Sequence, residues 1–264
     1  MARDIGYPVL IKPTEGFGGV GIRKASNIHH LEEVLRSVRQ PSGKIAVQKY
    51  ISGRHASVSV MSVAGKALTL AVSEQLLGIH KIGQLEPFGY CGNIVPLLES
   101  DDIIDRCRVV AERVIAHFGL VGSNGVDIVI SEEGRPHVIE VNPRFQGTIE
   151  CVERILGLNL AETHVRACQD RILPHLPPET EGFCVRLVLF AKRRSIIPDL
   201  RGFEECRDVP FPGTVIEKGA PLCSVVVQGR DSSLVLERAK EISSSIYNSL
   251  SPAGWEGVWV EGSR

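Results

Sequence analysis

Residues Lys12 to Gly21, KPTEGFGGVG, place four glycines within six positions directly behind the apolar run PVLI. Each glycine adds roughly 1 kcal/mol of ordering cost relative to alanine, so Gly16, Gly18, Gly19 and Gly21 together exceed what one turn requires. Gly16, Gly18 and Gly21 fit the G-x-G-x-x-G pattern. In a dinucleotide-binding βαβ unit that turn opens directly into a helix whose N-terminus holds the pyrophosphate. Here the residues that follow, IRKASN, read as extended, and helix-capping residues arrive only at Ser26 or Asn27. The next strand-like run, KIAVQKYI, carries Gln48 and Lys49 where a ribose-binding acid would stand. No Gly-Lys-Ser/Thr closes the motif, which excludes a P-loop. What remains is a glycine-rich hairpin between two strands, with Lys12 on the first. Such a hairpin folds over phosphates and offers them backbone N–H groups; a tight turn needing positive φ is the plainer alternative.

The composition of the whole chain is that of an ordinary soluble protein. At 264 residues it can bury roughly 70–75% of its unfolded surface, in one large domain or two smaller ones. Thirty basic against 31 acidic side chains leave a net charge of −1, which gives no overall attraction to nucleic acid or an anionic membrane. The seven cysteines are scattered without any C-x-x-C, as expected for reduced thiols in the cytoplasm. The start is no signal peptide, and no apolar run approaches the roughly 20 residues of a membrane span.

Strands are expected at YPVLIK, VGIRKA and KIAVQKYI, with a helix over IHHLEEVLRSV ended by Pro41-Ser42-Gly43. HASVSVMSV and KALTLAVSEQLL, joined at Ala64-Gly65, read as a hairpin. Residues 78–99 are rich in Gly and Pro and read as a long loop, a place where function concentrates. Ser100 then caps the clearest helix, whose apolar residues recur at i, i+3 and i+4 up to Gly119. A further helix is expected near 158–170, a boundary at 175–180, and a β-rich segment closed by SLVLERAKEISSSIYNSL beyond it. Lys192, Arg193 and Arg194 read as a solvated turn, and Trp255 and Trp259 call for a covering surface.

A second candidate site lies in VDIVISEEGRPHVIEVN. If Glu132 to Arg135 form a four-residue loop, Ser131 faces Pro136 and Asp127 faces Glu140. Asn142 then shares their face, because strand side chains alternate. Opposed carboxylates repel across a ladder. A cation between them removes that cost, and oxygen ligands suit Mg²⁺ or Mn²⁺. A solvated sheet face, with Val126, Ile128, Val138 and Val141 packed behind it, is the alternative. Arg144 follows on the same strand exit and suits a phosphate or carboxylate.

Taken in order, GYPVLIKPTEGFGGVGI, VQKYISG and VDIVI…PHVIEVNPRFQG resemble the ATP-grasp superfamily, over roughly residues 5–165. Within it they are most similar to the archaeal and methylotroph carboligases related to biotin carboxylase. The resemblance implies an α+β fold in which two subdomains with antiparallel sheets clasp ATP. Residues 1–175 would be this nucleotide-binding and catalytic domain, 181–250 a small β-rich C-terminal module, and 251–264 a tail. It implies that Lys12 contacts ATP phosphates beneath the Gly16, Gly18, Gly19 and Gly21 loop. Gln48, Lys49, Tyr50 and Ile51 would form the adenine hinge, and His55 a ribose or phosphate contact. Asp127, Glu140 and Asn142 would be magnesium ligands, and Arg144 would meet the transferred phosphoryl group or the acceptor.

The chemistry so implied is Mg-ATP-dependent activation of a carboxylate as an acyl phosphate, attacked by an amine. The alternative is a nucleotide-binding or regulatory subunit without catalysis of its own; a Rossmann oxidoreductase is the third reading. Three departures from the family pattern stand out. The chain begins one strand before the glycine loop, so it is expected to be a fragment, to have a misassigned start, or to be one half of a split enzyme beside a separate N-terminal subunit; a homodimer is the other expected assembly. Thr148 stands where biotin carboxylases carry glutamate after R-x-Q, which argues against bicarbonate activation. Ser57 stands where an acidic nucleotide contact is common. The segments EQLLG (74–78) and GYCGNIVP (89–96) are candidates for the acceptor border.

Overall fold

The computed structural model describes residues 2–37, 44–177, 180 and 182–253. The first half runs α1 (Ala2–Ile5), β1 (Val9–Pro13), β2 (Arg23–Ala25), α2 (Ile28–Ser37), β3 (Ile45–Lys49), β4 (Gly53–Val63), β5 (Lys66–Leu77), a 3₁₀ turn (His80–Ile82) and β6 (Tyr90–Val95). It continues with α3 (Asp101–His117), β7 (Gly122–Ser131), β8 (Pro136–Asn142), α4 (Ile149–Leu156) and α5 (Leu160–Gln169). The last part comprises β9 (Phe183–Phe190), β10 (Ser195–Ile196), β11 (Cys206–Arg207), β12 (Val215–Ile216), β13 (Pro221–Gly229), α6 (Ser232–Ser249) and β14 (Ser251–Pro252).

A small antiparallel sheet, β2-β1-β3, faces a large one of eight strands in the order β11-β13-β9-β6-β5-β4-β7-β8, every pair antiparallel. The alternation of β1 sets which way the small sheet looks. Val9 and Ile11 are fully buried with Ala25 against Leu31 and Val34 of α2, so Leu10 and Lys12 point the other way. Helix α2 starts where expected, with the Asn27 side chain accepting the His30 N–H at 2.9 Å.

On the large sheet, α3 buries Cys107, Ala111 and Ile115 against Val58, Val60, Val126 and Ile128. Ser100 precedes that helix in extended conformation without a side-chain capping bond; its carbonyl takes the Ile103 and Ile104 N–H groups instead. Ile115 is completely buried, so Ile115→Ala is expected to cost about 2–5 kcal/mol, read as a lower chemical-denaturation midpoint.

Residues 78–99 are not the plain loop that their Gly and Pro content suggests. Strand β6 lies there and pairs with β5 on one side and β9 on the other. Through it the strands β9, β13 and β11 join the main sheet. The β-rich segment beyond 181 therefore has no main sheet of its own; only the short β12-β10-β14 set is separate. Helix α6 closes it as expected, packing on β13 and β9. Helix α4 is an addition to the sequence reading. Lys192 stacks its ammonium 3.9 Å from the Tyr247 ring centroid and Arg194 pairs with Glu217, so the basic run is anchored to the body. Pro41 to Gly43, Trp255, Trp259 and most of the 251–264 tail lie outside the described residues. No helix among the described residues is long and apolar enough to cross a membrane.

Candidate active site

A cavity of about 690 Å³ lies between the two sheets. Lys12 enters it from β1 because its neighbours Val9 and Ile11 occupy the opposite, buried face. From the end of β3 come Gln48, Lys49, Tyr50 and Ile51, and from β4 His55. Gly16, Gly18 and Gly19 roof it, while Asp127, Glu140, Asn142 and Arg144 line the far wall. The structure thus brings together nearly all the residues singled out in the sequence. The exception is Gly21, which lies off the lining and gives its N–H to Glu86 at 3.3 Å. The strand expected over VGIRKA is also shorter: residues up to Ile22 are turns, with Val20 bonded to Phe17 and Ile22 to Gly19.

Asp127 does face Glu140, but by a different route from the one expected. The turn pairs Ile130, not Ser131, with Pro136, which is one residue out of phase. A bulge between Val138 and Glu140 then inserts Ile139 and restores the Asp127–Glu140 pair. Val138, expected to pack, is 39% exposed although it pairs with buried Ile128, because β8 is the outermost strand of the sheet, whereas Val126 and Ile128 lie one strand further in. Asn142 donates through Nδ2 to Asp127 Oδ2 at 3.3 Å.

The charges in the cavity influence one another. Burial raises the Asp127 carboxyl above its ordinary range, against hydrogen bonds from Ser57, Gln75 and Asn142 and the nearby Arg144. Burial lowers the Lys12 ammonium, and the Glu140 and Asp127 carboxylates partly restore it. His55 is lowered for the same first reason, with Asp127 opposing and Lys12 reinforcing. Lys12 and the two carboxylates therefore form one electrostatic unit, although more than 100 residues separate them in sequence.

The floor is a chain of neutral hydrogen bonds. Tyr90 donates to Asn93 Oδ1 at 2.5 Å, Asn93 to Ser73 at 3.1 Å, and Ser73 to the Ser57 carbonyl at 3.0 Å. Tyr90, Asn93 and Gln75 all line the cavity, so both EQLLG and GYCGNIVP reach it. Thr148 is buried and shares a 3.2 Å hydrogen bond with Ser59. Gln146, absent from the sequence reading, holds the exit of β8 by donating to the Arg144 and Asn142 carbonyls at 2.6 and 3.2 Å. It fits because Gly125 leaves space that a Cβ would fill. Phe88 and Glu86 were also missed; only the fold brings their segment to the glycine hairpin.

The family model of the ATP-grasp domain matches residues 1–148. An uncharacterized protein of Methanocaldococcus jannaschii is 26% identical over 238 residues, 90% of this chain and 53% of that protein. Among solved structures, a biotin carboxylase–beta-gamma-ATP complex from Campylobacter jejuni superposes with a TM-score of 0.71 at 19% identity, over 96% of this chain and 60% of that one. The N5-carboxyaminoimidazole ribonucleotide synthetase of Thermotoga maritima gives a TM-score of 0.67 at 19% identity, over 92% of this chain and 62% of that one. The chain spans about half the length of the curated relative from M. jannaschii. A family match over more than half of the residues, on a fold of two antiparallel sheets enclosing the cavity, establishes that this chain belongs to the ATP-grasp family.

Proposed function

We propose that this chain provides the catalytic region of an ATP-dependent carboxylate–amine ligase. The observation that carries the reading is the meeting of Lys12 with Asp127, Glu140 and Asn142 in one cavity beneath a glycine hairpin. In this reading ATP lies in the cavity with its base along Gln48 to Ile51 and its phosphates under residues 16–19, near Lys12 and His55. The donor set on the far wall suits Mg²⁺ or Mn²⁺. Two carboxylates face each other on adjacent strands, and the Asn142 amide gives its Nδ2 to Asp127, leaving Oδ1 to a cation. Asp127, Glu140 and Asn142 would hold the ion, which supplies neutralising charge for the phosphate oxygens.

The reaction would proceed by transfer of the terminal phosphoryl group of ATP to an acceptor carboxylate, giving an acyl phosphate and ADP. An amine then attacks the acyl carbon, a C–N bond forms and phosphate leaves. Lys12 and Arg144 contribute position and positive charge, which is what phosphoryl transfer asks of a protein. The acceptor would lie toward Arg144, Tyr90 and Asn93. Thr148 supplies no carboxylate there, which favours an organic acid over bicarbonate. The division into residues 1–175 and a C-terminal 181–250 module, and a cytoplasmic setting for its seven unpaired cysteines, belong to the same proposal.

Ser57 lines the cavity where an acidic nucleotide contact is common in the family, which favours a second reading: a nucleotide-binding or regulatory subunit without catalysis of its own, acting beside a separate N-terminal subunit or as a homodimer. Release of ADP and phosphate separates the two. A ligase is expected to release both only when a carboxylate and an amine are supplied together, across a panel of amino acids and small organic acids. ATP binding without acceptor-dependent turnover across that panel would favour the binding subunit.

A further inference from the structure

The segment between β5 and β6 closes on the glycine hairpin at three points. The Glu86 carboxylate accepts from both terminal nitrogens of Arg23 on β2, Nη1 reaching Oε2 and Nη2 reaching Oε1 at 3.3 Å. The same Oε2 accepts the Gly21 N–H at 3.3 Å. Four residues on, the Tyr90 N–H donates to the Gly18 carbonyl at 2.9 Å. Between these points Gly19, at φ +77°, lies so close to Phe88 that a Cβ would sit 1.9 Å from its carbonyl oxygen. The segment is itself braced. Gln84 accepts the Glu86 N–H at 3.0 Å and donates to the Tyr90 carbonyl at 3.4 Å, and the Gly89 N–H returns to the Glu86 carbonyl at 3.0 Å.

We infer that Glu86 is a positioning residue: with Arg23 it clasps the glycine hairpin shut over the cavity and reserves the Gly21 N–H, so that the N–H groups of residues 16–19 are the ones left for phosphates. A guanidinium and a carboxylate joined through two hydrogen bonds fix an orientation as well as a distance, and the Gly21 bond carries that orientation into the loop. The Arg23 hydrogen bond also holds the Glu86 carboxyl below its ordinary range, with burial opposing, so Glu86 is a carboxylate at neutral pH. The clasp ties a residue of the small sheet to a segment of the large one. Release of a nucleotide from beneath the hairpin then requires this pair to part. The identity of that nucleotide rests on the ATP reading above, whereas the clasp is a property of the chain without ligand.

The test uses the full chain in two measurements. In hydrogen–deuterium exchange without nucleotide, Glu86→Gln is expected to speed exchange at residues 16–22 about three- to ten-fold. The Gly18–Tyr90 bond survives the change, which limits the gain, and β4 and β7 should keep their protection. Arg23→Glu should act alike, and combining it with Glu86→Arg should slow exchange again relative to Arg23→Glu alone. In stopped-flow, dissociation of a fluorescent ADP analogue should accelerate by a similar factor while its association rate stays nearly constant. Exchange at the wild-type rate in Glu86→Gln, or a charge swap without any recovery, overturns the clasp. If the wild-type chain binds no nucleotide while Glu86→Gln still loosens residues 16–22, the ATP reading fails and the clasp stands.

Discussion

Glu140→Ala is expected to abolish Mg²⁺-dependent ATP binding, a loss of roughly 100-fold or more in affinity once a carboxylate ligand is gone. Lys12→Ala should cost about 10- to 100-fold, as for a charge-assisted hydrogen bond removed from a partly buried site. Calorimetry with a non-hydrolysable ATP analogue, with and without Mg²⁺, reads both. The two variants should differ in the absence of the metal. There Glu140→Ala should bind the analogue as well as the wild type or better, because a negative charge facing the phosphates has been removed. Lys12→Ala should remain weak in either condition. Glu140 is the better probe of the pair of acids, since it is exposed on the edge strand β8. Asp127 takes hydrogen bonds from Ser57, Gln75 and Asn142, and its removal would orphan those groups and destabilise the sheet. Unchanged Mg-ATP affinity in both Lys12→Ala and Glu140→Ala would sink the proposed site.

A large effect on folding is expected at Gly92. It sits in β6 at φ +124°, paired with Leu76 on one side and Leu187 on the other. A Cβ there would lie 1.9 Å from the Arg186 carbonyl oxygen, so β9 must move away to admit any side chain. Gly92→Ala is expected to cost about 2–5 kcal/mol from backbone strain and overpacking together, lowering Tm by about 5–20 °C. Gly65→Ala is the matched control. Gly65 has φ +76°, but open space surrounds its missing Cβ, so it carries strain without collision. Equal thermal stability of the two variants would show that β6 does not hold β9 in place by close packing.

The contrast between β6 and α3 explains much of what the sequence conveyed. Helix α3 buries one face in a single partner surface, and its i, i+3 and i+4 apolar stripe is visible locally. Strand β6 is defined by neighbours at positions 74–77 and 184–187, and its own residues, YCGNIV, follow glycines and a proline that signal a loop. The pairing of β6 with β9, which carries the large sheet across residues 175–180, likewise leaves no local trace. The acid pair was legible because strand alternation fixes the direction of each side chain, whereas residues 48–51 were singled out by resemblance to a family pattern; the structure puts them and Lys12 on the cavity wall. Gly21 was grouped with its neighbours by spacing alone; its N–H is claimed by Glu86, which lies 65 positions further along the chain. The Asp127–Glu140 pairing was right although its assumed turn register was one residue off, because the bulge at Ile139 supplied the compensating step.

That bulge separates two jobs along one hairpin. The tip, from Ser131 to Arg135, can follow whatever geometry its Glu-Gly turn prefers, and the phase of β8 is corrected only afterwards, just ahead of Glu140. Val138 and Glu140 are two residues apart, yet they stand opposite Ile128 and Asp127 and so look to opposite sides of the sheet. A related chain with one residue fewer at 139 and one more in the turn would keep Asp127 facing Glu140 with no bulge at all. The facing acids are the constraint, and the extra residue can be absorbed at either end of the hairpin.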